Sequence, residues 1–153
     1  MGSTIKETPA PEAESDHYRL EESVGHLLRR AHQRHTNLFQ SLDGSDGLTP
    51  TQFAVLVRLE EEKRSTQNRL GRLAALDTAT IQGVVQRLIA RGLVASERDP
   101  LDRRTVVLSL TEAGLAVLDS AAGRGRSANR LLLEPLAPAD QETLIRLLRQ
   151  VLG

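Results

Sequence analysis

The side chains richest in chemistry lie in the middle of the chain, and their chemistry is recognition rather than bond making. Arg103 and Arg104 stand beside Asp102 in the polar stretch DPLDRR. Guanidinium groups on a projecting tip suit phosphates, or a narrow minor groove, where the potential is strongly negative. Upstream, Thr78, Ala79, Gln82, Gly83 and Gln86 share the polar side of one helical pattern, with Thr80 in its first turn and Arg91 at its end. Glutamine can make a bidentate contact to adenine, and a threonine methyl can meet a thymine methyl. Glycine lets a backbone approach closely. Thr66, Gln67 and Asn68 open another short helix, where backbone N–H groups and small polar side chains suit phosphates.

A formal net charge of zero at first argues against nucleic acid. The distribution argues for it. Residues 63–104 hold nine lysines and arginines against four acids, whereas residues 1–22 hold two basic and six acidic side chains. A positive middle in a neutral chain fits a local DNA-facing surface. The aromatic residues are Tyr18, Phe39 and Phe53, too few for the stacking platforms of single-strand binders. Duplex DNA needs none.

Other function classes fall away. There is no cysteine, which excludes disulfides, thiolate metal sites and thiol redox sensing. No apolar run approaches the roughly 18 residues of a membrane span. The start of the chain lacks a signal-peptide core, and Lys6 does not suit myristoylation. A cytoplasmic protein with no membrane partner is expected. The sequence has no glycine-rich phosphate loop, no paired carboxylates in a catalytic motif and no nucleophile–base pairing, so neither an enzyme nor a cofactor is expected.

The elements that must position these residues follow from periodicity. Residues 1–15 are rich in Pro, Glu and Ser and predict a disordered arm; residues 16–153 form a single domain. A long helix is expected from His17 to Leu42, its stripe carrying Leu20, Val24, Leu27, Leu28, Ala31, Leu38, Phe39 and Leu42. DGSDG ends it. Thr49, Pro50 and Gln52 then spell a capping box with proline in the first turn. A short third helix is expected from about Thr66 to Leu76, and Asp77 caps a fourth that Gly92 stops. Beyond Gly92 the period falls from 3.6 to 2: LVASER and TVVLSL are two strands of a hairpin. Thr111 caps a fifth helix towards Leu133, and a sixth begins near Pro138.

Two short helices joined by a tight turn, the second amphipathic and followed by a hairpin, describe a winged helix-turn-helix. The expected fold is mainly α with one small β-hairpin. Residues 48–110 make the winged helix-turn-helix, and residues 16–43 and 111–153 supply dimerisation helices. Those outer helices hold more apolar positions than a lone winged helix requires, including Leu131, Leu132 and Leu133. A module that keeps this fold for protein contacts without binding DNA is the alternative; Arg103, Arg104 and the polar reading face speak against it.

LTPTQFAVLVRL, followed by LGRLAALDTATIQGVVQRLIARGLVASERDPLDRRTVVLSLTEAG, resembles the core of MarR-type regulators over about residues 48–114. The most specific piece is Asp-x-Arg followed by Leu-Thr-x-x-Gly, here Asp102, Arg104, Leu110, Thr111 and Gly114. The resemblance implies a homodimeric transcriptional repressor on a pseudo-palindromic duplex, with Asp102 orienting Arg104 for the minor groove. It departs at Gly83, where many members carry a larger polar residue.

The first helix suggests a ligand. His35 falls at the centre of its apolar stripe, His32 at the rim beside Phe39, and Arg34 near the opposite rim. Such a histidine fits a hydrogen-bonded core or interface residue, and it fits a clamp. In the family this helix borders a cleft, where His32, Arg34 and His35 could hold a carboxylate while Phe39 and Phe53 sandwich a ring. GHLLRRAHQRHTNLF is similar to the first helix of members that sense nicotinate-type or hydroxybenzoate-type acids. The implied effector is an aromatic carboxylate that releases the DNA. His32 and His35 also have metal-ligand spacing, but without cysteine or a carboxylate on that face no metal site is expected.

Overall fold

The computed structural model describes residues 18–153; the expected arm over residues 1–15 lies outside them, as does His17. Six α-helices and one two-stranded antiparallel sheet follow in the order expected. The first helix departs from expectation at its start. A single 3₁₀ turn at Leu20–Glu22 precedes helix α1, Val24–Ser41. Ser23 between them is extended, and its hydroxyl donates to the Leu20 carbonyl at 2.8 Å. That local bond competes with the helical ladder and breaks a pattern whose apolar period runs on unbroken.

Helix α2, Pro50–Glu62, starts at the capping box: Gln52 N donates to Thr49 Oγ1 at 3.2 Å, and Thr49 N donates to Gln52 Oε1 at 3.1 Å. Helix α3, Gln67–Leu73, is capped by Thr66 and ends three residues earlier than expected. Ala75 adopts a left-handed φ of 54° there, and Leu76 N turns back to Gly71 O at 2.8 Å. Helix α4, Thr78–Ala90, begins at Asp77, whose carboxylate accepts from Thr80 N at 2.7 Å.

Strands β1, Val94–Arg98, and β2, Val106–Leu110, pair with Val94 opposite Leu110 and Arg98 opposite Val106. Ser65, between α2 and α3, adds a bridge to Leu108 on the outer side of β2. Helix α5, Glu112–Leu133, leaves the sheet at Thr111, whose hydroxyl accepts from Gly114 N at 3.0 Å and donates to Gly92 O at 2.7 Å. Glycine is required at 114. A Cβ there would lie 2.1 Å from the Leu93 carbonyl oxygen, so the Leu-Thr-x-x-Gly pattern is the joint that seats α5 against the hairpin. Helix α6 is Pro138–Leu152.

The core sits between α2, α3, α4 and the sheet, where Leu56, Leu59, Leu70, Ile81 and Leu88 are fully buried. Each contributes about 1.5–3 kcal/mol by leaving water. This core holds α4 at the surface with its polar side outward. The outer helices behave otherwise. The expected stripe of α1 buries only Phe39, while Val24 is 68% and Leu27 49% exposed, and α6 buries no residue at all. Leu144, Ile145, Leu147, Val151 and Leu152 of α6 all face solvent.

Candidate functional site

The expected reading surface lies on α3, its turn and α4. Thr78, Ala79, Gln82 and Gln86 are exposed along one side of α4, opposite buried Ile81, Val84, Val85 and Leu88. Gly83 lies among them, and a Cβ there would meet nothing nearer than Arg87 Nη1 at 3.6 Å. Nothing inside the protein demands that glycine. Thr80 is also exposed, but its hydroxyl donates to Asp77 Oδ2 at 2.8 Å and so serves the cap. The Thr80 amide and then its hydroxyl hold the Asp77 carboxyl below its ordinary value. On α3 the Thr66 hydroxyl accepts from Arg69 N at 3.3 Å, Gln67 is half-buried, and Asn68 is exposed. Arg91 ends α4, with its guanidinium donating to the Asp46 carbonyl in the loop between α1 and α2.

The wing tip is a stack of local hydrogen bonds. Asp99 N donates to Thr105 O, and Thr105 N to Asp102 O, each at 2.9 Å. Asp102 Oδ1 accepts from Arg104 N at 3.0 Å, and its Oδ2 accepts from the Thr105 hydroxyl at 2.8 Å. The Thr105 hydroxyl, then the Arg104 amide, hold the Asp102 carboxyl below its ordinary range. Asp102 therefore reaches Arg104 through the main chain, and no ion pair forms between the two side chains. Arg98 Nη1 donates to Arg103 O at 2.8 Å. Arg103 and Arg104 are exposed and, among the described residues, form no ion pair. An ion pair of 3.0 Å between Arg64 and Glu97 ties the root of the wing to the α2–α3 turn.

The five expected ligand residues divide among three grooves. His35, Phe39 and Phe53 line one cavity of about 330 Å³ between α1, α2 and α5. The Phe39 and Phe53 ring centroids are 5.5 Å apart, tilted by 43°. Gly125 of α5 makes room, since a Cβ there would lie 2.9 Å from the Phe53 ring. Arg34 opens instead onto the outer side of α1 with His26, Arg29 and Arg30. His32 lines a third groove with Thr49, Thr80 and Arg87. Within one chain, then, His32 and Arg34 do not converge on His35. Among the described residues, no three potential metal ligands cluster.

Two cations beside the cavity escape the sequence reading. Arg58 lines its wall and pairs with Glu61 at 2.8 Å. Arg124 is 8% exposed, pairs with Asp46 at 2.7 Å, and sets its guanidinium carbon 4.3 Å from the Phe39 ring centroid. A signal existed. An arginine flanked by Gly123 and Gly125 on an apolar helix has room beside it for a close neighbour.

The sequence profile of the MarR family matches residues 46–105. Over 135 residues, covering 88% of this chain and 85% of the relative, the sequence is 42% identical to the HTH-type transcriptional repressor NicR of Pseudomonas putida. Bordetella bronchiseptica BpsR, solved in a study of how 6-hydroxynicotinic acid regulates its DNA binding, superposes with a TM-score of 0.81 at 37% identity, covering 88% of this chain and 96% of BpsR. Streptomyces coelicolor PcaV, solved with its natural ligand, gives a TM-score of 0.79 at 38% identity over 88% of this chain and 94% of PcaV. On this likeness, and with a winged helix-turn-helix fold, the chain belongs to the MarR family of DNA-binding transcriptional regulators.

Proposed function

We propose that this regulator is a cytoplasmic, non-enzymatic homodimeric repressor that holds a pseudo-palindromic duplex and releases it on binding a small aromatic carboxylic acid. The observation that carries the acid is the cavity between α1, α2 and α5. Its size falls in the range of small-ligand sites; Phe39 and Phe53, in contact with each other at 5.5 Å and so too close to sandwich a ring, give it one aromatic wall, and His35 supplies a polar group on another. The acid named for BpsR, a hydroxylated pyridine carboxylate, has the shape and charge for such a site. His35 would donate to the carboxylate. His32 and Arg34 could join only if a second subunit brought them near.

The dimer reading rests on the uncovered apolar positions of α1 and α6, among them Val24, Leu27, Val151 and Leu152, since contiguous exposed apolar surface commonly marks an interaction site. Residues 16–43 and 111–153 would form this interface, leaving residues 48–110 as the reading unit. In the DNA complex the exposed side of α4, with Thr78, Ala79, Gln82, Gly83 and Gln86, would enter the major groove. Thr66, Gln67 and Asn68 would lie by the backbone, and Arg103 and Arg104 would reach the minor groove. A ligand releases DNA only through its differential affinity for the two dimer shapes.

The test is site selection from a random duplex pool followed by mutagenesis. Gln82→Ala and Gln86→Ala should relax base preference by about 1–3 kcal/mol for each good contact. Arg104→Ala should weaken binding and lower its salt dependence, because one groove-seeking charge is lost per subunit. Normal DNA binding by Arg104→Ala would overturn the wing assignment.

A further inference from the structure

The loop between α1 and α2 joins the aromatic cavity to the end of the reading helix through a single residue. Asp46 uses its carboxylate in one direction and its main chain in the other. Asp46 Oδ1 accepts from Arg124 Nη2 at 2.7 Å and from Leu48 N at 2.8 Å. The Asp46 carbonyl accepts from Arg91, the residue that ends α4. The Arg124 guanidinium lies over the Phe39 ring, which in turn meets Phe53. A chain of direct contacts thus runs from the cavity wall through α5 and the loop to α4.

The energetics of the pair do not favour a purely stabilising purpose. The Asp46 and Arg124 side chains are 10% and 6% exposed, and Arg124 Nε is buried without a partner. A buried ion pair of this kind is commonly no more stable than an apolar replacement of the same volume. Its distinctive property is geometric. Two buried charges tolerate one arrangement, and removing either leaves the other uncompensated, so the loop must move. The loop is also shaped around the guanidinium: a Cβ on Gly44 would fall 1.2 Å from Arg124 Nη1.

We propose that Asp46 and Arg124 are positioning residues for DNA reading: through Arg91 they set where the C-terminal end of α4 lies relative to the helices that carry the cavity. The proposal rests on α4 being the reading helix. It also changes the expected role of Arg91, from a DNA contact to the tether by which the loop holds α4.

The experiment compares full-length wild type with Gly44→Ala, Arg124→Met, Asp46→Asn and Arg91→Met. Each is measured for melting temperature, dimer mass, and affinity for both the selected duplex and a random duplex. Gly44→Ala is the most telling variant, since it displaces the guanidinium without deleting any polar group, and it remains informative should Arg124→Met fail to fold. The expected result is a loss of about tenfold in preference for the selected duplex, the ordinary scale of coupling between sites, with random-duplex affinity per folded dimer unchanged. Arg91→Met should behave like the others. If Arg91 were instead a phosphate contact, its loss would weaken both duplexes alike and lower the salt slope of the dimer by about two, one for each subunit, and that result overturns the proposal. So does an unchanged preference in Gly44→Ala, or a loss on both duplexes that merely tracks melting temperature. A wild type with no preference for any duplex would instead refute the reading-helix assignment on which the proposal stands.

Discussion

His35→Ala separates a ligand contact from a packing residue, because the two readings predict opposite pairs of measurements. The imidazole is half-buried on the cavity wall and, among the described residues, is assigned no hydrogen-bond partner. Truncating such a side chain costs little, about 0.5–1 kcal/mol. In a chain of this size that lowers the melting temperature by roughly 1–4 °C. The loss on the ligand side is larger. A hydrogen bond to a charged carboxylate is worth about 1.5–3 kcal/mol, so the acid concentration for half-release should rise about 10- to 150-fold. Fluorescence anisotropy of a labelled operator, titrated with 6-hydroxynicotinate, reads the release. A thermal melt of the same preparation reads the stability. A fall in melting temperature beyond about 5 °C with an unchanged half-release concentration would show that His35 packs the fold and does not hold the acid.

The remaining predictions test other joints. Gly114→Ala should cost about 3 kcal/mol or more, since its Cβ would collide with the Leu93 carbonyl rather than with a flexible side-chain end; a melting temperature within a degree or so of wild type, where about 6–12 °C of loss is expected, would contradict that contact. Gly83→Ala should raise stability by up to about 1 kcal/mol through helix propensity while weakening operator binding, because the added methyl points out of the reading face; unimpaired binding would show that no close backbone approach occurs there. The wing should stay ordered in moderate acid. The Thr105 hydroxyl and the Arg104 amide hold the folded Asp102 carboxyl below its ordinary value, so its contribution is complete above the unfolded value and disappears only as pH falls through the lower folded one; an Arg104 amide shift that titrates at or above the ordinary aspartate value would refute this. Light scattering at micromolar concentration should give twice the chain mass, and a monomer would refute the assignment of the uncovered α1 and α6 faces.

Local chemistry was the legible part of this fold. Thr49, Asp77 and Thr111 each announce a helix start because a cap depends on a few consecutive residues. The change of period after Gly92 gives the hairpin for the same reason. The break at Ser23 was hidden, because Leu20 and Val24 keep the helical period across a serine that turns its hydroxyl back on Leu20. Periodicity likewise gave α1 an apolar face but could not say what covers it, and within one chain most of that face stays uncovered. Long-range polar links were legible only indirectly. Asp46 and Arg124 are 78 positions apart; DGSDG marks a turn and the glycines beside Arg124 mark open space, but neither pattern names the other as its partner. The placement of His32, His35 and Arg34 around α1 was readable, but which groove each faces depends on where α2, α4 and α5 pack, and that no helical projection contains.

The most direct test of the account is operator release by an acid. The duplex selected by the purified dimer should contain two inverted half-sites whose centres lie about one turn apart, roughly 34 Å. Hydroxynicotinate or hydroxybenzoate should release it, whereas the corresponding carboxamides, equal in shape but uncharged, should not. Release by acid and not by amide is the predicted result. A dimer that binds its selected duplex equally well with and without every aromatic acid, or that responds to acid and amide alike, would contradict a carboxylate clamp in this cavity.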